Sequence, residues 1–186
     1  MPFFVITIEL LYFAVCKAKV DLAILIDGSQ SIDYFAAGNF RRCLQFVKNF
    51  VSEFNIAKEG THVGIVVFSK NAEVIFRFEK YFSLQTMLTA IDSIKYPRSG
   101  THTGKALDVV RTKLLDTSAR QGVPNILLVM TDGASQVSLS PPPKGSNFRL
   151  FESLIAIKHS HVECMVMNLC LTVTFTVQFG RKKHQR

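Results

Sequence analysis

The chain reads Val20-Asp21-Leu22-Ala23-Ile24-Leu25-Ile26-Asp27-Gly28-Ser29-Gln30-Ser31 near its amino-terminal end. After Asp21 the first part is continuously apolar, which is typical of a strand buried on both faces of a sheet. The residues that follow offer one carboxylate and two hydroxyl groups from a single tight loop, and Gly28 permits the turn. Oxygen ligands of this kind suit a hard divalent cation such as Mg²⁺. The stretch therefore predicts a buried strand with a metal-binding loop at its end.

The pattern of apolar residues farther along the chain predicts an α/β fold. Apolar side chains at three- and four-residue spacing from Phe40 to Phe54 indicate an amphipathic helix that ends before Gly60. His62 to Phe68 is a second buried-type strand, and Ala72 to Phe78 alternates as its hairpin partner at a short edge. Two further helices, around 84–94 and 106–114, precede a strand over 126–130. This order predicts a mainly parallel sheet with right-handed crossovers.

Two later segments carry more oxygen ligands. Thr101 lies in the loop that runs from Ser99 to Gly104, and Asp132 follows the last predicted strand directly. Ligands of open α/β sheets bind outside the carboxyl ends of strands, where the strand order reverses. If the strands that end near Asp27 and Asp132 are neighbours there, both carboxylates and Thr101 converge on one crevice. Each segment alone also fits an ordinary turn or helix cap, so their joint occurrence carries the prediction of a metal site.

These residues resemble the metal-ion-dependent adhesion site of the von Willebrand factor A domain family, which reads Asp-x-Ser-x-Ser, then Thr, then Asp. The matching positions are Asp27, Ser29, Ser31, Thr101 and Asp132. The likeness runs from about Val20 to Gln136, and among subgroups it is similar to matrilin and collagen VI-type domains. It implies that the hydroxyls touch the metal, while the carboxylates act directly or through waters.

The resemblance also implies a fold. The family has a doubly wound, mainly parallel, Rossmann-like sheet with one antiparallel edge strand and helices on both faces. This agrees with the element order read from the apolar pattern. After Gln136 the likeness is lost, and we expect residues 137–186 to form a divergent segment that leaves the fold incomplete at its carboxyl-terminal side.

The ends of the chain carry their own signals. An apolar run from Phe3 to Val15 predicts a signal peptide over residues 1–18, although Glu9 interrupts it and no basic start precedes it. A hydrophobic terminus without that role is the alternative. Near the other end, Leu171 to Phe179 alternates with period two and predicts a half-exposed strand. A membrane span over Val162 to Phe179 is disfavoured by its polar residues. A zinc cluster is also disfavoured, because no standard ligand spacing links His159, His161, Cys164 and Cys170.

Composition and net charge limit the classes of function that the chain is expected to have. The 186 residues are 48% hydrophobic and 19% charged, which matches one globular domain with a sizeable core. The formal net charge is +8, but part of it lies in the terminal run from Arg181 to Arg186 rather than in an aromatic-interleaved groove. Nucleic acid is therefore not an expected partner. Cys43, on the apolar helix face, is expected to be a small buried residue.

We expect a binding module rather than an enzyme. Its metal would be Mg²⁺, with Mn²⁺ or Ca²⁺ as alternatives, and its partner an acidic group on an extracellular matrix protein such as collagen. Secretion into the matrix follows from the predicted signal peptide and from the resemblance. Two alternatives remain: a metal-independent module for matrix assembly, and a Mg²⁺-dependent phosphohydrolase, since an Asp after a buried strand can act as a nucleophile. The sequence indicates neither the oligomeric state nor the partner's identity.

Overall fold

The strands define the architecture of the described part of the chain. The structure is a computed structural model that describes residues 19–34 and 36–131, together with the backbone of three later strands. The described strands are β1 (Asp21–Asp27), β2 (His62–Phe68), β3 (Ala72–Phe76), β4 (Asn125–Thr131), β5 (Leu154–Ala156), β6 (His161–Val166) and β7 (Val173–Gln178).

The helices follow the predicted order. α1 spans Asn39–Ser52 and α2 spans Leu84–Asp92. α3 (Thr103–Val109) continues without a break into a π-helical segment (Val110–Leu115) and a last turn (Asp116–Ser118). We refer to this continuous stretch as the 103–118 helix. A short 3₁₀ turn (Gln30–Asp33) lies between β1 and α1.

Five strands form one sheet in the order β3-β2-β1-β4-β5. β1 is central and parallel to both neighbours, with Ile26 paired to Val67 of β2 and to Met130 of β4. β5 adds in parallel to β4, while β3 is antiparallel to β2 and forms an edge. The chain passes from β1 to β2 on one side and returns to β4 on the other. The strand order therefore reverses at the carboxyl end of β1, where ligands of such sheets bind.

Alternating β1 side chains face two hydrophobic layers. Leu22, Ile24 and Ile26 belong to the layer that contains the apolar faces of α1 and α2. Ala23 and Leu25 belong to the layer that contains Ala106, Val110 and Leu114 of the 103–118 helix. All of these β1 side chains are fully buried. The continuous apolar run arises because both faces of β1 are covered by helices.

The predicted fold is confirmed: a mainly parallel sheet with one antiparallel edge strand and helices on both faces. β3 ends at Phe76, two residues before the predicted end, because the Lys80 amide donates to the Arg77 carbonyl in a turn; Phe78 is nevertheless buried. Cys43 is buried in α1 as expected, at 1% exposure.

The carboxyl-terminal strands are described by their backbone alone. β6 and β7 pair with each other in an antiparallel, two-stranded sheet, which confirms strand structure within the alternating segment. The predicted signal peptide lies outside the described residues, and so do His159 and Cys170. Among the residues that the structure describes, the helices all fall short of the length and apolar character that a membrane crossing needs.

Candidate metal centre

Asp27, the last residue of β1, is the buried carboxylate of the site. Its side chain is 1% exposed. One oxygen, Oδ1, accepts a hydrogen bond from the Ser29 amide at 2.8 Å, and Oδ2 accepts one from the Thr131 hydroxyl at 2.7 Å. Since Thr131 ends the neighbouring strand β4, this carboxylate joins the two strands at the point where the strand order reverses. Its orientation is set before any ligand arrives.

The two serine hydroxyls meet at one point. Ser29 has an extended backbone, with φ −67° and ψ 159°, and the 3₁₀ turn begins at the next residue. This change of conformation brings Ser29 Oγ within 2.9 Å of Ser31 Oγ. Ser29 is buried, whereas Ser31 is half-buried. The predicted convergence of alternate residues in this loop is therefore confirmed for these two hydroxyls.

The loop that carries Thr101 is held against the serine loop by its backbone. The Gln30 amide donates to the Ser99 carbonyl at 2.9 Å, and the Arg98 amide donates to the Gly28 carbonyl at 3.1 Å. The approach is close, because a Cβ atom on Gly28 would lie 2.6 Å from Pro97 Cδ. Two residues beyond Ser99, the half-buried Thr101 begins the approach to the 103–118 helix.

The end of β2 completes this junction. The His102 amide donates to the Ser69 carbonyl at 2.9 Å, and the Gly28 amide donates to the Phe68 carbonyl at 2.6 Å. The Thr101 segment therefore lies between residues that hold it to the β1 loop and to the end of β2. Asp132 follows Thr131 directly and lies outside the described residues, so its place in the site stays a prediction.

Two residues that the sequence did not single out support the loop. Thr131 holds the Asp27 carboxylate, and the Tyr96 hydroxyl donates to the Ser29 carbonyl at 2.7 Å. The Tyr96 ring stacks on Phe40 of α1, with centroids 4.5 Å apart. Burial, together with the negative charge of Asp33, raises the pKa of the Tyr96 phenol, which keeps the donor proton in place. In the sequence, the signal that could have indicated Tyr96 was its position as an aromatic residue three places before Ser99.

The donor set fits a hard cation. The described donors are a carboxylate and serine hydroxyls, oxygen ligands that Mg²⁺, Mn²⁺ and Ca²⁺ prefer over soft ligands. Across the described part of the chain, His, Cys, Asp and Glu side chains form no group of three that could hold a metal. A cation at this place would thus depend on hydroxyl ligands, with Asp27 as the charged group beside them.

Comparison with known proteins agrees with this architecture. The mouse collagen alpha-4(VI) chain is 39% identical over 133 residues, which is 69% of this chain and 6% of that protein. Human vitrin is 32% identical over 134 residues, 72% of this chain and 19% of vitrin. This chain therefore corresponds to a small part of each relative's length.

A solved structure shows the same fold. Proximal thread matrix protein 1 from the mussel byssus superposes with a TM-score of 0.62 at 26% identity, over 68% of this chain and 34% of that one. Another structure of that protein, described as having a zinc-occupied MIDAS motif, has a TM-score of 0.56 at 28% identity and covers 62% of this chain and 30% of its own.

The family comparison covers most of the chain. The model of the von Willebrand factor type A domain matches residues 21–164, a range that extends past Gln136 and includes β5. It agrees with the sheet order, the helices on both faces and the position of the Asp27 loop. The chain belongs to the von Willebrand factor type A domain family.

Proposed function

We propose that this domain is an extracellular adhesion module that holds a divalent cation at the Asp27 loop and binds an acidic group of a matrix protein through it. The cation is Mg²⁺, with Mn²⁺ and Ca²⁺ as alternatives, and collagen is the example of a partner. The proposed ligands are Asp27, Ser29, Ser31, Thr101 and Asp132. Secretion into the extracellular matrix belongs to the same proposal.

One observation carries the proposal: Ser29 Oγ and Ser31 Oγ lie 2.9 Å apart beside a carboxylate that two hydrogen bonds hold in place. Two hydroxyl oxygens this close can both face one ion. Asp27 and Ser29 are each 1% exposed, and this burial keeps their side chains ordered. They lie at the reversal of strand order, where this sheet class binds its ligands.

The charge of the donor set explains why a partner carboxylate would be accepted. Serine and threonine hydroxyls are neutral, so Asp27 and Asp132 would supply the formal negative charge from the protein. A bound divalent cation would keep electrophilic character and a coordination position for an incoming acidic group. The names of the relatives support a matrix setting, since they include a collagen chain and a matrix protein with zinc in its MIDAS motif.

Asp27→Asn tests the metal site. The amide keeps the shape of the side chain, retains an acceptor for the Ser29 amide and can donate to the Thr131 hydroxyl, but it carries no charge. We expect Mg²⁺ binding to be lost in titration calorimetry while the far-ultraviolet spectrum stays unchanged. Asp27→Ala should also abolish binding, with a larger loss of stability because it removes both acceptors.

A matched pair of serine variants provides the control. Ser31→Ala removes one proposed ligand and is expected to weaken Mg²⁺ binding by about tenfold. Ser52→Ala removes a half-buried hydroxyl that donates to the Lys48 carbonyl within α1, away from the site, and should leave affinity unchanged. Unaltered affinity in Asp27→Asn and Ser31→Ala would contradict the proposed site.

Chelation separates adhesion from its alternatives. Binding of the domain to immobilised collagen or another matrix protein should disappear in EDTA and return with excess Mg²⁺. Matrix binding that persists in EDTA would instead support metal-independent assembly. Turnover of a generic phosphate ester that depends on Asp27 would support the phosphohydrolase alternative.

A further inference from the structure

We propose that Arg98 binds a second carboxylate of the partner, so that the domain selects acidic segments carrying two carboxylates over segments carrying one. This inference rests on the proposed function, because the first carboxylate is the one that meets the cation. It names the chemical class of the partner, an acidic peptide segment, and the residue that would recognise it.

The Arg98 backbone places this side chain beside the metal loop. The Arg98 amide donates to the Gly28 carbonyl, one residue before Ser29. Arg98 has φ 51°, and among the described residues it is the one non-glycine residue with positive φ. A bulky residue in the left-handed region is strained, and such strain concentrates at binding sites.

Two neighbours fix the guanidinium group. Arg98 Nη2 lies 3.1 Å from Asp33 Oδ2, and the other oxygen of Asp33 accepts a hydrogen bond from the Phe40 amide at 3.2 Å. The Arg98 guanidinium carbon also lies 5.0 Å from the centroid of the Tyr96 ring. Asp33 is thus anchored to the start of α1, and Tyr96 supports the guanidinium through a cation–π contact.

The guanidinium group nevertheless remains accessible. The Arg98 side chain is 64% exposed, whereas Asp33 is 14% exposed. Arginine has several N–H donors in a planar fork that matches a carboxylate, and the ion pair with Asp33 engages Nη2. An exposed arginine held in one orientation loses little entropy when it binds an anion.

The charges around the site favour an acidic partner. Lys70 follows Ser69, whose carbonyl is bound by the His102 amide, and Lys105 lies in the first turn of the 103–118 helix. Both lysines are exposed. Their positive charges would attract a segment carrying several carboxylates more strongly than a neutral or basic one.

A double-mutant cycle between protein and peptide tests the inference. The probes are synthetic glycine-rich peptides with two aspartates separated by one, two or three residues, and matched peptides in which one aspartate is asparagine. With the Mg²⁺-loaded wild-type domain, we expect the second aspartate to increase affinity by about fivefold to tenfold in at least one spacing. With Arg98→Gln, that advantage should fall to about twofold or less, the part that general attraction to the exposed lysines supplies.

Two controls exclude simpler explanations. Lys95→Gln removes an exposed positive charge three residues earlier, so it should keep the preference for two aspartates if general attraction is not the cause. Arg98→Gly relieves the left-handed backbone while removing the guanidinium, so it should lose the preference with a melting temperature within about 4 °C of wild type. A purely structural role predicts an unchanged preference in Arg98→Gly.

The outcomes separate the two proposals. Mg²⁺ titration of the wild-type domain without peptide decides the metal site alone. If Mg²⁺ binds but the second aspartate gives no advantage, or gives the same advantage with Arg98→Gln, the role of Arg98 is overturned and the metal site stands. Failure of every peptide to bind the Mg²⁺-loaded domain also overturns the inference.

Discussion

At the scale of single residues, the site depends on groups that hold the ligands as well as on the ligands. The Ser29 hydroxyl meets Ser31 because the Ser29 backbone is fixed on both sides: its amide donates to Asp27 and its carbonyl accepts from Tyr96. Hydrogen bonds to ligand residues of this kind restrict the directions that the donor atoms can take. Tyr96 is therefore a positioning residue for the loop.

Tyr96→Phe tests this role. The variant keeps the stack on Phe40 but removes the 2.7 Å hydrogen bond to the Ser29 carbonyl, which then accepts, among the described residues, only from the Ile32 amide at 3.3 Å. We expect Mg²⁺ affinity to fall by about tenfold, and the free energy of unfolding to fall by about 0.5–1.5 kcal/mol. Calorimetry and chemical denaturation measure the two effects.

Tyr81→Phe is the control for the loss of a phenol. The Tyr81 ring contacts Phe76 at the edge hairpin, away from the metal loop. The Mg²⁺ affinity of the Tyr81→Phe variant should equal that of the wild type. Equal affinity in Tyr96→Phe as well would show that the hydrogen bond to Ser29 has no part in metal binding.

At the scale of elements, the approach of the 103–118 helix to the sheet requires a glycine in β2. A Cβ atom on Gly64 would lie 2.6 Å from Leu114 Cδ1, and Leu114 is fully buried in the π-helical segment. The backbone of Gly64 and the side chain of Leu114 are therefore too close to accommodate a methyl group between them. The helix that follows Thr101 is thereby held close to β2.

Gly64→Ala is expected to destabilise the domain by about 1–3 kcal/mol, because the fully buried Leu114 side chain would have to shift. In the double variant with Leu114→Ala, the total loss should be smaller than the sum of the single losses. Urea denaturation of the four proteins in the cycle measures this coupling. Additive losses would indicate that the two sites do not meet as the structure shows.

Gly104→Ala is the matched control on the same helix. Apart from its chain neighbours and the backbone of its own helix, a Cβ atom there meets no heavy atom of the described residues within 4 Å. Because alanine favours the helical conformation, we expect no loss and a gain of up to about 1 kcal/mol.

At the scale of the whole molecule, a buried ion pair and the proposed metal site lie at opposite ends of β1. At the amino-terminal end of β1, Asp21 is fully buried and lies 2.7 Å from Arg120 Nη2, and Asp21 Oδ2 also accepts from the Arg120 amide. The pair links β1 to the segment after the 103–118 helix. Asp27, at the carboxyl end of the same strand, belongs to the metal site.

Arg120→Ala should therefore lower stability without changing the site. Removing one partner leaves the Asp21 charge buried, and we expect a loss of about 3–5 kcal/mol. Mg²⁺ affinity of the folded fraction, measured at low temperature, should stay within about twofold of wild type. A larger change in affinity would show that the two ends of β1 are coupled.

Lys19→Ala provides the comparison for a surface pair. Lys19 and Glu59 are exposed and 3.6 Å apart. Solvent screening makes such a pair weak, so its loss should lie within about 1 kcal/mol.

Much of the fold could be predicted because local patterns and burial agree. β1, β2 and β4 are continuously apolar where helices cover both faces of the sheet, and α1 shows its buried face at helical spacing. The length of the 103–118 helix was less predictable. Its apolar stripe, 106–114, ends before the last turn, where the Thr117 and Ser118 hydroxyls bind carbonyls four residues earlier.

The sequence alone determined the order of elements, the family and the identities of the candidate ligands, since strand burial and oxygen chemistry are properties of residue types and spacing. Tertiary structure decided which distant groups meet. Thr131, Tyr96 and Arg98 join the site through contacts with residues 27–33, more than 60 positions away in two of the three pairs and more than 100 in the other. No local pattern encodes such contacts, because they arise when β4 adds beside β1 and the loop after α2 crosses the end of that strand.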